Sequence, residues 1–235
     1  MIQDLSKQIG EDIYFLAQYG SINYNTMHER SDIDWRGFVR FREDDTKVIK
    51  IANNDICING FNQFRDMIGN MDYRGIELLF SQEVQINQNL PPYIQRCISI
   101  FFEMNNAIAS AHTARMYRTY MDKFEEHMIL AKRHAYYAYK KKYLKHAFRL
   151  INTLERFHHT GFSSYEYAMR YEDNERDRHF IKTMNEGEMP IESTREIILR
   201  RSEEVKKLKM DFDRPIDMDT YYLFIGLCEE IGGEY

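Results

Sequence analysis

Short apolar segments with the spacing of β-strands dominate the first part of the chain. Residues 12–19 are apolar and aromatic up to Gly20 and Ser21, which predicts a buried strand that ends at a turn. Residues 32–41 alternate polar and apolar side chains, which predicts a second strand. Further strands are predicted at 47–51 and 55–59, and a helix at 61–69.

Helical patterns take over after Pro91 and Pro92. Residues 93–160 contain neither proline nor glycine, and no alternating pattern persists among them. Helices are predicted at 131–159, 193–209 and 218–231. The sequence therefore predicts an α+β domain over residues 1–92 and an all-helical domain over residues 93–235.

Charge and cysteine content narrow the classes of function. A formal net charge of −5 leaves no overall basic field for nucleic acid, so that such a partner would need a local patch. The cysteines, Cys57, Cys97 and Cys228, are odd in number and far apart, which indicates reduced intracellular thiols. No secretory signal pattern and no apolar stretch of membrane-spanning length occur. We therefore expect a cytoplasmic protein without membrane contact.

Candidate chemistry lies where the first predicted strand ends and the second begins. Asp32 and Asp34 are two apart on a strand, so both carboxylates face one side, about 6–7 Å apart. Carboxylates that close repel each other unless a cation lies between them, and Mg²⁺ prefers such oxygen ligands. Gly20 allows a phosphate to approach the backbone, and the Ser21 hydroxyl can bind its oxygens. Ile33 and Trp35 would anchor the strand in the core.

Each half of this pattern has a common structural explanation. A lone Asp-x-Asp usually lies on an exposed strand face, and a lone Gly-Ser is usually only a turn. The combination is more specific: an apolar strand, Gly20 and Ser21, a gap of ten residues, and then Asp32 and Asp34.

In this combination the chain resembles the DNA polymerase β-like nucleotidyltransferase superfamily. A bacterial and phage group within it, often called the YcgL-like family, is similar over longer segments. The matching segments are Gly20-Ser21-Ile22-Asn23-Tyr24, Ser31-Asp32-Ile33-Asp34-Trp35-Arg36-Gly37, Glu77-Leu78-Leu79-Phe80 and Lys142…His146-Ala147-Phe148-Arg149-Leu150. The chain departs from the group at Ile22, where arginine is usual, and at 72–75, where the group has Gly-Asn-Pro. The resemblance implies a mixed sheet with helices, followed by helices.

The resemblance also implies a third carboxylate on a neighbouring strand. Asp55 is the first candidate, because it opens a predicted strand after an Asn-rich turn. Glu77 is the second, because a charge inside an apolar segment needs a reason. The alternatives are that Asp55 caps a turn and that Glu77 pairs with an arginine such as Arg74.

A basic helix is the remaining candidate for phosphate binding. Lys142, His146 and Arg149 are four and three residues apart, so they share one side of a helix. A lysine-rich run is commonly just a solvated surface, and the resemblance is what favours a phosphate role here. The tyrosines at 136, 137, 139 and 143 could stack on bases, but we expect them to pack between helices.

The resemblance implies a metal-dependent nucleotidyltransferase. Mg²⁺ or Mn²⁺ bound by Asp32, Asp34 and Asp55 or Glu77 would act on a nucleoside triphosphate such as ATP. Gly20 and Ser21 would hold its phosphates, and Arg36, Lys142, His146 and Arg149 would contact phosphate or base. The acceptor hydroxyl, on RNA, a protein or a small molecule, stays open. The alternatives are a nucleotide-binding regulatory protein without turnover and an RNA 3′-end nucleotidyltransferase.

Overall fold

The computed structural model of the chain describes residues 1–27, 33–40, 46–51 and 54–232. The strands in these ranges are β1 (Ile13–Tyr19), β2 (Asp34–Val39), β3 (Lys47–Ile51), β4 (Asn54–Gly60) and β5 (Val84–Ile86). They form one sheet in the order β3-β4-β2-β1-β5. The pair β2 and β4 is parallel, whereas the other neighbours are antiparallel. The sheet is therefore mixed.

Helices make up most of the other described residues. They are α1 (Ile2–Ile9), α2 (Phe61–Gly69), α3 (Tyr73–Leu79), α4 (Pro92–Glu103), α5 (Asn105–Ser110), α6 (Thr113–Arg133), α7 (Tyr137–His159), α8 (Tyr165–Met169), α9 (Arg176–Glu186), α10 (Ile191–Lys207) and α11 (Met218–Gly232). The predicted class, α+β with a helical C-terminal part, is confirmed.

The chain divides into two compact units. Met1–Ala111 together with Asp217–Tyr235 forms the first unit, and His112–Ile216 forms the second. The sequence placed the division after residue 92 instead. In the structure α4 and α5 stay in the unit that contains the sheet, and α11 returns to that unit. The predicted helical domain of residues 93–235 thus contributes helices to both units.

One face of the sheet is covered by α1. Ile2 and Leu5 of this helix are buried in a cluster with Trp35 and Ile56. Ile33 packs against the same cluster, as expected from the alternating pattern of its strand. Because successive strand residues face opposite sides, the intervening residues of β2 belong to the other face of the sheet.

Phenylalanines fill the core on that other face. The rings of Phe15 in β1 and Phe38 in β2 lie 5.0 Å apart. Phe64 of α2 contacts both rings, at 5.4 Å and 5.1 Å, and Phe101 of α4 lies 5.7 Å from Phe64. Aromatic rings bury large areas, so this cluster fixes α2 and α4 against the sheet.

The centre of the sheet needs a glycine at position 37. A Cβ there would lie 2.6 Å from Leu16 Cδ2 and 2.7 Å from Ile58 Cδ1. Gly37 is opposite Leu16 in β1 and Ile58 in β4, so the side chains of both neighbours occupy the space above it. The glycine of the Asp34-Trp35-Arg36-Gly37 segment therefore has a packing role.

The second unit is built on the helix pair α6 and α7. The predicted single helix over 131–159 is interrupted, because α6 ends at Arg133 and the extended residue Tyr136 precedes α7. Inside the unit, the hydroxyls of Tyr120 and Tyr165 are hydrogen-bonded to each other. Arg156 binds Glu175 and donates to backbone carbonyls.

Across the described residues, no helix combines the length and the apolar character needed to cross a membrane.

Candidate functional site

The candidate site lies at the end of the sheet where β1 stops and β2 starts. Tyr19, the last residue of β1, pairs with Asp34, the first residue of β2. Gly20 follows with a φ of +86°, in the left-handed region that side chains disfavour. A Cβ on Gly20 would lie 3.4 Å from Asp34 Oδ2. The predicted Gly-Ser bend therefore borders the carboxylate of the predicted metal ligand Asp34, and a side chain at position 20 would touch it.

Ser21 lies in a single 3₁₀ turn, Gly20–Ile22, that continues the bend. Its carbonyl accepts the backbone N–H of Thr26 at 2.9 Å. The side-chain amide of Asn23 donates to the carbonyl of Gln18 at 3.0 Å, and that of Gln82 donates to the carbonyl of Ile22 at 3.0 Å. These contacts hold the turn in one conformation without using the Ser21 hydroxyl.

Glu77 lies inside the same contact region. It is buried in α3, and its Oε1 accepts the backbone N–H of Gly20 at 2.5 Å. Arg74, its predicted alternative partner, pairs with Asp72 at 2.7 Å. The charge in the middle of an apolar helix is thus explained by a hydrogen bond to the Gly20 bend.

Asp55 is placed beside Asp34 by strand register. Trp35 is opposite Ile56 in the parallel pair β2–β4, so the preceding residues, Asp34 and Asp55, are neighbours on strands about 4.8 Å apart. Asp55 lies within β4, whereas the alternative reading had it cap a turn. Its carboxylate is half-exposed and lies 3.5 Å from Lys50 Nζ.

Arg36 extends the polar face by one position along β2. Its guanidinium lies 4.9 Å from the ring centre of Tyr19, and its Nη1 donates to Met67 Sδ at 3.6 Å. Within the described residues its buried Nε has no hydrogen-bond partner. A guanidinium next to Asp34 with a donor to spare is suited to an oxygen-rich anion.

Two tyrosines that the sequence analysis did not select border the site. Burial and a hydrogen bond with Cys57 raise the pKa of Tyr19, whose hydroxyl lies 3.6 Å from Cys57 Sγ. Burial raises the pKa of Tyr73 to about 12, against the opposing charge of Arg74. Both hydroxyls stay protonated at neutral pH. The only signal for Tyr19 was its position directly before Gly20.

The predicted metal ligands are described only in part. Asp34 and Asp55 lie near the starts of neighbouring strands and Glu77 binds the Gly20 N–H, whereas Asp32 lies outside the described residues. Among the residues that the structure describes, no three His, Cys, Asp or Glu side chains are grouped as a metal site. The Asp32–Asp34 pair and its metal therefore stay predictions.

The predicted phosphate contacts of the helical part lie on α7, in the second unit. Lys142 is exposed, His146 is half-buried and Arg149 is only 4% exposed. Burial lowers the pKa of His146 well below its usual value, and the nearby charge of Arg149 lowers it further. His146 is therefore neutral at pH 7. A phosphate role for the three residues stays a prediction.

The tyrosines just before α7 and in its first turn are exposed, although we expected them to pack between helices. Tyr136, Tyr137 and Tyr139 are 70%, 49% and 50% exposed. They do not fill a helix interface, because the break between α6 and α7 turns them towards solvent.

Comparisons with known proteins do not assign the chain to a family. No protein-family model matches the chain, and no curated protein matches it. Among solved structures, the chain is similar to a nucleotidyltransferase-like protein from Exiguobacterium sibiricum 255-15. Their sequences are 14% identical, 88% of this chain and 74% of that chain are covered, and the TM-score is 0.34. Support for a function therefore has to come from the residues of this chain.

Proposed function

We propose that the chain is a metal-dependent nucleotidyltransferase. One observation carries the proposal: the left-handed Gly20 bend borders the Asp34 carboxylate, which a Cβ at position 20 would approach to 3.4 Å, with Asp55 at the neighbouring strand position. A phosphate-accepting bend beside acidic oxygens is what transfer from a metal–nucleotide complex requires.

The carboxylates have the chemistry of a hard-cation site. Asp34, with Asp32 and Asp55, would hold Mg²⁺ or Mn²⁺, because both cations prefer oxygen ligands. When bound, the metal would neutralise the triphosphate charge and lower the pKa of the acceptor hydroxyl.

The remaining residues would bind and orient the nucleotide. Gly20 leaves room for a phosphate beside Asp34, and Ser21 offers a hydroxyl to its oxygens. Arg36 would stabilise the negative charge that develops during transfer. Glu77 holds the bend through the Gly20 N–H, so it acts first as a positioning residue, and its use as the third carboxylate stays a secondary proposal.

The reaction joins an acceptor oxygen to the α-phosphorus of the nucleotide. As that O–P bond forms, the bond from the α-phosphorus to the bridging oxygen breaks, and pyrophosphate leaves with the electron pair. The hydroxyl proton passes to solvent. No covalent enzyme intermediate is required, because positioning and electrostatic stabilisation suffice for phosphoryl chemistry.

The test measures transfer and pyrophosphate release with each α-labelled nucleoside triphosphate, Mg²⁺ or Mn²⁺, and a cell extract as the source of acceptor. We expect Asp34→Asn to lower both by about a hundredfold or more, because metal stabilisation supplies several kcal/mol of the barrier reduction. Asp66→Asn is the matched control, since Asp66 is an exposed carboxylate on α2 that forms an ion pair with its neighbour Arg65.

Full activity of Asp34→Asn would exclude this function. The regulatory alternative has a different signature in the same experiment: the nucleotide binds, measured by calorimetry with and without Mg²⁺, but no pyrophosphate is released by the wild-type chain. The class of molecule that acquires the label identifies the acceptor, including RNA 3′ ends.

A further inference from the structure

An uninterrupted array of aromatic rings lies on the surface of the α6–α7 pair. We name it the aromatic strip, and it consists of His127, His134, Tyr136, Tyr139, Tyr143 and His146. Neighbouring ring centres are 4.5 to 6.5 Å apart from Tyr136 at one end to His146 at the other. Tyr136 and Tyr139 are at least half-exposed, and the other four rings are half-buried.

The geometry of the strip follows from helical spacing. Tyr139, Tyr143 and His146 are four and three residues apart and share one side of α7. His127 of α6 and His134, the residue that follows α6, meet that side, with His134 4.5 Å from Tyr139 and His127 5.4 Å from His146. Four of the six rings therefore lie on two packed helices, and His134 and Tyr136 lie in the short connection between them.

The strip is surrounded by positive charge. Residues 127–154 contain seven Lys or Arg and no Asp or Glu, in a chain whose net charge is −5. Lys140 and Lys142 flank the ring of Tyr139 along α7, and Lys132 and Arg133 end α6. The field is strong enough to act on Lys145: burial and then three neighbouring cations lower its pKa to about 8.

These features together fit one kind of partner. We propose that the aromatic strip and its flanking lysines bind single-stranded nucleic acid. Exposed rings flanked by basic side chains, as at Tyr136 and Tyr139, suit a single strand, because every base has a face that stacks and every nucleotide has a phosphate. A duplex would contact only the lysines and arginines, because its bases already stack on each other and are not available to the rings.

Other polyanions fit less well. An acidic peptide would satisfy the lysines but has no flat groups to stack on the exposed rings of Tyr136 and Tyr139. An anionic membrane would favour a wide apolar face that contains Trp, Phe or Leu, whereas the strip consists of tyrosines and histidines alone. The proposal concerns the second unit alone and does not depend on nucleotide transfer at the Gly20 bend.

The experiment measures fluorescence anisotropy with a labelled oligouridylate of about 12 nucleotides, within the site sizes usual for single strands, and with the matching oligodeoxyuridylate, which differs only in the sugar. Nucleoside triphosphate and metal are left out, so the result is separate from transfer activity. The full chain should bind one or both oligonucleotides, and affinity should fall with salt. Which sugar binds more tightly then distinguishes RNA from DNA.

Two double variants separate stacking from charge. Tyr136→Ala with Tyr139→Ala should lower affinity about tenfold or more at each salt concentration, and should leave the salt slope unchanged. Lys140→Gln with Lys142→Gln should reduce the slope of log affinity against log salt by about 1.4, or about 0.7 for each lost phosphate contact.

Matched controls exist on other helices. Tyr222→Ala removes an equally exposed tyrosine of α11, and Lys206→Gln with Lys207→Gln removes two lysines of α10 that pair with glutamates. All should bind like the wild-type chain. The proposal is overturned if neither oligonucleotide binds, if the double tyrosine variant binds like the wild-type chain, if polyglutamate competes as well as the oligonucleotide does, or if anionic vesicles bind through these tyrosines.

Discussion

Gly20 and Glu77 together form the bend that borders the Asp34 carboxylate. The bend needs a residue that tolerates a φ of +86°, and it needs empty space beside the Asp34 carboxylate. The buried carboxylate of Glu77 accepts the N–H that the bend exposes. A buried amide without such an acceptor would cost about 1–3 kcal/mol. The apolar segment around Glu77 therefore contains a charge because the bend requires one.

The residue-scale prediction compares two glycines with the same backbone conformation. Gly20→Ala and Gly10→Ala should each destabilise the chain by about 1–2 kcal/mol, because φ is +86° and +74° at these positions. Gly20→Ala should lower pyrophosphate release more than Gly10→Ala does, since its Cβ would occupy space beside Asp34 Oδ2, whereas a Cβ at Gly10 meets nothing within 4 Å. Urea unfolding gives the stabilities. Equal loss of activity in both variants would mean that strain alone explains the effect.

At the scale of elements, β2 is the strand on which both faces of the sheet depend. Its apolar residues meet α1, and its other residues run from the polar end at Asp34 to the phenylalanine core at Phe38. The close approach of β1 and β4 over Gly37 makes this division possible. The strand therefore links the stability of the sheet to the position of the candidate site.

The element-scale prediction is that Gly37→Ala lowers the free energy of unfolding by about 1–3 kcal/mol, the usual cost of overpacking. Its Cβ would lie within 2.7 Å of side chains on both neighbouring strands. Gly69→Ala is the control, because this last residue of α2 has open space around its Cβ. Denaturant unfolding followed by circular dichroism measures both. An unchanged Gly37→Ala would show that Leu16 and Ile58 can move aside.

The sequence predicted the elements that carry a local signal and missed those that depend on contacts. Strands β1 to β4 and helix α2 follow from alternation and spacing. Strand β5 has three residues, too few to alternate visibly, and α3 contains Gly75, which normally argues against a helix. A Cβ at Gly75 would lie 2.7 Å from Met67 Cβ, so packing against α2 selects that glycine.

In the candidate site, too, some residues follow from a local sequence pattern and others depend on contacts between distant segments. Gly20 and Asp34 form a pattern along the sequence, and strand register brings in Asp55. The hydrogen bond from Gly20 to Glu77 joins residues 57 apart, so no local pattern could predict it. The exposure of Tyr136 and Tyr139 depends on where α6 ends, and neither proline nor glycine marks that break.

At the scale of the whole molecule, phenylalanine contacts explain where the chain divides. The ring of Phe102 lies 5.5 Å from Phe15, and Phe101 lies 6.2 Å from Phe61. Phe224 of α11 lies 5.7 Å from Phe101, so the last helix packs on a helix that itself packs on the sheet. A change of texture after Pro92 marks where strands stop, but the core of the first unit continues beyond it.

The whole-molecule prediction concerns two fragments. Residues 112–216 should unfold cooperatively as a helical protein, because that segment forms a compact unit with its own core. Residues 93–235 should bind a hydrophobic dye and unfold over a broader range, because Phe101 and Phe224 would lose the sheet-side core that buries them. Thermal melts by circular dichroism and dye fluorescence measure both fragments. If the longer fragment is equally cooperative and binds no dye, α4 and α11 form a core without the sheet, and the division lies near residue 92.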